Sequence, residues 1–177
     1  MLFRNKLYEN TKESHKVVDK HEFVNLIRTN KKAGELYINM NKICIKNIQE
    51  EIQIRLSNGD SDWESFRLLF EKLYKDIDVQ FGRTKNINEL LERCIEYPLE
   101  HAYMFILGLL FGGKLLSRYL PEHTKFLQYD NSKELINDFK DYLDENVKDQ
   151  DKFINIVNKS YKLISEIFDD FCIKMDK

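Results

Sequence analysis

A chain of 177 residues with 42% hydrophobic and 33% charged residues is long enough for one domain with a sizeable core and too apolar to stay disordered. Six glycines and two prolines punctuate too sparsely for an all-β fold. A net charge of −2 supplies no basic field to recruit nucleic acid or an anionic membrane. The expected class is all-α, one domain over residues 1–177, with Lys and Glu interleaved on solvated helix faces.

Leu7, Thr11, Val18, Phe23, Leu26 and Ile27 recur at helical spacing and predict a first helix near residues 6–28. A second stripe of Leu36, Met40, Ile43, Ile48, Ile52 and Leu56 ends at Ser57-Asn58-Gly59. Asp60-Ser61-Asp62 then offers caps for a third helix carrying Trp63, Phe66, Leu69, Phe70 and Leu73. After a break at Gly82, Ile87–Ile95 reads as one short helix ending at Tyr97-Pro98. A glycine-bearing helix runs on to about Tyr119 and is closed by Pro121, and 122–130 reads as a polar loop. Asn131-Ser132 can cap a helix through about Asp144, and a last helix over about 150–174 places Phe153, Ile156, Val157, Leu163, Ile164, Ile167, Phe168 and Phe171 mostly inside.

Cys44, Cys94 and Cys172 are far apart in apolar helical contexts, with no zinc-like spacing. They fit free thiols in a reducing compartment, and the cytoplasm is the expected location. The N-terminal MLFRNKLYEN lacks the apolar region of a secretory signal. The apolar run Met104–Gly113 falls short of the roughly 20 residues a bilayer requires, so a core helix and no transmembrane segment is expected.

The run HAYMFILGLLFGGKLLSRYL over 101–120 is helix-forming except for Gly108, Gly112 and Gly113. Each glycine costs a helix about 1 kcal/mol relative to Ala. Such a cost is tolerated where the backbone bends or something lies directly against it. Gly108 and Gly112 share one face, a bare strip suited to a flat ligand or a second helix.

Of the four histidines, His15 has Asp19 four residues on and Lys12 three residues before, all on one helical face. The carboxylate could orient the imidazole, and the ammonium could meet an acidic group of a ligand. By itself His15, like His21, reads as a surface residue. His101 reads as a packing or capping residue, and His123 as a loop residue with no partner in view. No catalytic triad order, phosphate loop or repeated ExxH carboxylate pairing is present.

The two halves together are more specific. Thr11-Lys12-Glu13-x-His15-x-x-x-Asp19-x-x-Glu22-Phe23 is followed by His101-Ala102-Tyr103-x-x-x-Leu107-Gly108-x-Leu110-x-Gly112-Gly113. This order resembles the heme oxygenase family. Glu50-Glu51-Ile52, Lys133-x-Leu135 and Tyr161…Leu163…Ile167-Phe168-Asp169-Asp170 extend the resemblance over nearly the whole chain, with 56–98 shorter and poorly matched.

The resemblance implies a helical bundle with a kinked glycine-rich distal helix and a heme held between helix 1 and that helix. His15 takes the place of the iron ligand and Asp19 that of its acidic partner. Gly108, Gly112 and Gly113 match the distal glycines, and Lys12, Tyr103 and Lys133 match positions that meet the heme propionates. The family cleaves heme with O₂ and reductant to biliverdin, carbon monoxide and iron. Expected partners are therefore heme and, for an active enzyme, an electron donor, with a monomeric chain and no nucleic acid.

The departures from the family concern proton delivery. Leu109 stands where the family has an aspartate that orders distal water. Phe105 replaces an arginine and Phe111 a serine, Ile45 falls near a distal tyrosine and Ile164 near an asparagine, and Asn137 replaces a basic propionate partner. Leu and Phe neither donate protons nor anchor water. Two expectations follow: a divergent heme oxygenase of slow or rerouted chemistry, or a non-catalytic heme-binding or scaffold protein whose pocket Phe105 and Phe111 fill.

Overall fold

The structure, a computed structural model, describes residues 1–176; these are helical with no strand among them. Ten α-helices follow in chain order: α1 (Phe3–Asp19), α2 (Glu22–Thr29), α3 (Lys31–Ser57), α4 (Ser61–Glu64), α5 (Arg67–Leu73), α6 (Lys85–Glu96), α7 (Pro98–Ala102), α8 (Gly108–Tyr119), α9 (Ser132–Asn146) and α10 (Gln150–Met175). A wider π-helical turn, Tyr103–Leu107, joins α7 to α8, and a 3₁₀ turn, Lys125–Leu127, lies in the loop before α9.

The first predicted helix is two. Lys20 closes α1, and His21 takes an extended backbone (φ −61°, ψ 141°) as the N-cap of α2. Its Nδ1 accepts from the Phe23 N–H at 3.2 Å, a capping role that imidazole seldom fills. Nδ1 being the acceptor, Nε2 carries the proton toward Asp169 Oδ1 at 3.1 Å, and the ring packs edge-on to Phe168. His21 is therefore a half-buried cap and not a surface residue. The predicted third helix also divides, at Ser65-Phe66, into α4 and α5.

α3 and α10 are the long members, 27 and 26 residues, each about 40 Å by helical rise. α10 packs on α1, α2, α3, α6 and α7, while α3 packs on α2, α6, α7 and the π turn. One core runs between them, with Phe3, Phe23, Phe66, Phe139, Phe168 and Phe171 fully buried. Gly59, at φ +71°, ends α3 in the left-handed region that favours glycine.

His101 lies at the centre of this packing, fully buried. Its Nδ1 faces the Tyr97 carbonyl at 2.7 Å and its Nε2 the Ser160 hydroxyl at 2.9 Å. Arg93 donates to the same hydroxyl at 3.0 Å and to the Ile156 carbonyl at 3.2 Å. The network ties α6 and α7 to α10 and anchors the start of the glycine helix. Burial pushes the imidazole down to about 4.

The segment Pro98–Tyr119 is long and apolar enough, by length and composition, to cross a membrane; half of it is buried within the bundle. Lys114 and Arg118 interrupt its outer face, and its inner face forms part of the core. That arrangement is the ordinary one for a core helix.

Candidate functional site

α1 packs against α9 and α10, whereas the π turn ahead of α8 packs against α3. Between α1 and α8 a cleft of about 1050 Å³ remains open. Pockets that take cofactors run roughly 300–1,000 Å³. The cleft brings together His15, Asp19 and Lys12 from α1 with Tyr103, Phe105, Gly108, Leu109, Phe111 and Gly112 from the glycine-bearing segment.

His15 Nδ1 lies 2.9 Å from Asp19 Oδ2, one turn along α1, with side chains 53% and 61% exposed. The His15 ring stands edge-on to Tyr161, centroids 5.3 Å apart. With the carboxylate beside Nδ1, Nε2 is the ring nitrogen left for a ligand. An imidazole so oriented is a good donor to iron. Among the described residues no group of three or more His, Cys, Asp or Glu is gathered that could hold a metal ion.

Across the cleft, a Cβ placed on Gly108 or Gly112 would meet nothing within 4 Å. Their backbone is thus presented bare to the open space, as the shared helical face predicts. Gly113 differs. Its Cβ would lie 3.1 Å from Leu127 Cβ, so this glycine admits the loop before α9 and does not face the cleft. The cofactor contact expected of Gly113 is thus not at the cleft wall, where Gly108 and Gly112 lie.

The irregularity of the distal helix also precedes the glycines. Gly108 itself has ordinary helical angles (φ −58°, ψ −39°), and the wide turn is Tyr103–Leu107. π turns are frequent at functional sites, where the extra residue re-aims side chains. Here it lies between the buried His101 network and the first bare glycine.

Tyr103 lines the cleft beside Thr11, and burial raises its phenol above the ordinary range. Lys12 lies at the rim, paired with Glu9 on its own helix. Lys133 does not reach the cleft. It is exposed in the first turn of α9, while Lys140, two turns on, lines the opening. The reason is where α9 meets α1: Arg4 is ion-paired with Asp141 and Asp144, so the second half of α9 is the part that borders the site.

Phe105, Leu109 and Ile164 are buried against the cleft as expected, Phe105 stacked on His101 at 6.4 Å. Phe111 stands at the mouth, 58% exposed, with Lys140 Nζ 4.8 Å from its ring centroid. Neither phenylalanine fills the space. Ile45 faces a separate void of about 10 Å³ with Phe105, Ile106 and Leu109, and Asn137 is exposed. His123 has Glu35 at 3.9 Å, a partner its loop position did not suggest.

The sequence pattern does not single out Tyr37 and Asn41 of α3 or Tyr161 of α10 as site residues, yet each lines the cleft. Asn41 breaks the apolar stripe of α3 one turn before Ile45, a local inconsistency that could have drawn attention to it. Burial raises the phenols of Tyr37 and Tyr161, so both carry their protons.

No protein-family model matches the chain, and no curated protein matches it in sequence. Solved structures do match. The heme oxygenase from Leptospira interrogans superposes with a TM-score of 0.77 at 17% identity, over 96% of this chain and 100% of that one. Heme oxygenase 2 from Chlamydomonas reinhardtii without heme gives 0.77 at 15% identity, over 96% and 97%. Heme oxygenase-1 from the cyanobacterium Synechocystis in complex with heme gives 0.72 at 15% identity, over 96% and 92%. A single all-α chain, a cleft between its first helix and a glycine-bearing helix, and these superpositions lead to one conclusion: the protein has the heme oxygenase fold.

Proposed function

We propose that the protein binds heme in the cleft between α1 and α8, with His15 as the axial ligand of the iron. The supporting observation is the opposition of His15, with Asp19 at 2.9 Å, to the bare strip of Gly108 and Gly112 across an open space of about 1050 Å³. A planar macrocycle needs such a strip, since a side chain at either glycine would stand between ring and helix. Asp19, beside Nδ1, would orient the imidazole. Lys12 at the rim, with Arg4, Lys16 and Lys140 also bordering the cleft, supplies cations for the ligand's carboxylates.

Bound heme would bring the redox iron and the oxidisable ring; the chain would have to bring the proton. Phe105, Leu109 and Ile164 offer no ionisable group to relay one. A lost proton donor typically removes about 10²–10⁴-fold in rate. The reading is therefore a heme-binding protein of heme oxygenase fold in which oxidative cleavage is slow. A filled-pocket scaffold is disfavoured by the open cleft and by the outward position of Phe111.

Single turnover of the heme complex with reductant and O₂, catalase present to remove free peroxide, tests the second half. Retention of the heme spectrum over many minutes is expected. Prompt appearance of biliverdin absorbance would show that proton supply is intact.

A further inference from the structure

Phe111, Leu115 and Tyr119 are 58%, 48% and 46% exposed and follow one another at four-residue intervals along α8. That spacing lines them into one ridge about 12 Å long on the outer side of the helix. Along one flank lie Gly108 and Gly112, so the ridge forms the lip of the cleft, which Phe111 and Leu115 also line. Along the other flank lie Lys114 and Arg118, both exposed. Lys140 of α9 sets its ammonium 4.8 Å from the Phe111 ring centroid, and Lys133 shares that face of α9 two turns earlier.

The charge on this face has one sign. No acidic residue occurs between Glu100 and Glu122. The nearby carboxylates are engaged elsewhere: Asp141 and Asp144 with Arg4, Asp138 with Lys72, and Glu9 with Lys12. Among the described residues Lys114, Arg118, Lys133 and Lys140 have no acidic partner. An aromatic and aliphatic ridge beside unpaired cations suits a helix lying in a lipid–water interface. A second copy of the chain would bring the same four cations face to face across a two-fold axis. A folded acidic partner would need about 800 Å² of complementary surface, whereas this ridge is one side chain wide and borders an open cleft. A lipid surface requires no such complementarity.

We propose that the outer face of α8 rests on an anionic lipid surface, which places the mouth of the cleft at the bilayer. Phe111, Leu115 and Tyr119 enter the interfacial region, where an aromatic ring or phenol sits at the level of the headgroups. Lys114, Arg118, Lys133 and Lys140 meet the lipid phosphates. The net charge of −2 gives no long-range pull, so the attachment is local and reversible. The contact does not depend on the heme reading.

The test is co-sedimentation of the full chain, without heme, with vesicles of phosphatidylcholine alone and of phosphatidylcholine containing phosphatidylglycerol. Binding is expected only to the mixed vesicles, with release as salt is raised. Lys114→Gln and Arg118→Gln are each expected to weaken it about fivefold, and Phe111→Ser and Leu115→Ser each about tenfold. Leu68→Ser, at a leucine of α5 that is 64% exposed, is expected to change nothing. Circular dichroism verifies that each variant is folded. Failure of the unmutated chain to sediment with the mixed vesicles would overturn the proposal, as would equal binding by the α8 variants. A dimer in size-exclusion chromatography that Leu115→Ser dissolves would assign the face to a second copy and overturn it too. With no heme present, each of these outcomes is read apart from that of the heme titration.

Discussion

Asp19 stands 2.9 Å from His15 Nδ1 within a single helix, so the pair is set by the geometry of α1 and needs no other element to assemble it. Both side chains are more than half exposed, and an exposed pair contributes at most about 1 kcal/mol to stability. Asp19→Asn is accordingly expected to leave the unfolding midpoint nearly unchanged. Heme affinity should fall about 10–100-fold, the usual effect of removing a partner behind a metal-binding histidine. Urea unfolding and a heme titration of the same variant separate the two.

The glycines make opposite predictions for the empty and the loaded protein. A methyl at Gly108 or Gly112 meets open space, so each Gly→Ala change should stabilise the empty protein by about 1 kcal/mol. For a chain of this size that raises Tm by roughly 2–4 °C per substitution. The same methyls should weaken heme binding. Gly113→Val should do the reverse, costing about 1–3 kcal/mol by crowding Leu127 while sparing heme uptake. Thermal melts with and without heme check all three.

Much of this site was legible because it depends on spacing along one helix. His15 with Asp19, and Gly108 with Gly112, are four-residue relations that survive whatever the helices later pack against. The misreadings depend on tertiary contacts. The apolar pattern runs unbroken through Lys20-His21, so nothing local announces that His21 turns and caps α2 against Asp169. Lys133 follows from the family resemblance alone, while the Arg4 pairs with Asp141 and Asp144 decide that the half of α9 carrying Lys140 borders the cleft. Asn41 reads as an ordinary polar position until the cleft is seen to open beside it.

His101 gives the fold a pH dependence. Its imidazole is held down to about 4 by burial, below the ordinary 6.5, so the unfolded chain binds the proton more readily than the folded one. Stability from this group is full above pH 6.5 and falls as pH drops toward 4. The slope approaches about 1.4 kcal/mol per pH unit within that window. Urea unfolding of unmutated protein and His101→Gln at pH 7 and pH 4.5 should show a smaller acid loss in the variant.

Leu109→Asp restores an ionisable group on the wall of the cleft. Turnover of bound heme is expected to rise at least about tenfold, with some loss of stability from burying a carboxyl beside Phe105. Phe111→Ser, at the exposed mouth, should add little. Single-turnover rates for both variants and their combination check the order.

The most direct test of the account is a ferric heme titration of the unmutated chain beside His15→Ala, followed in the Soret region. The account predicts 1:1 uptake with a shifted Soret band that His15→Ala abolishes. An identical spectrum and stoichiometry in the variant would contradict it.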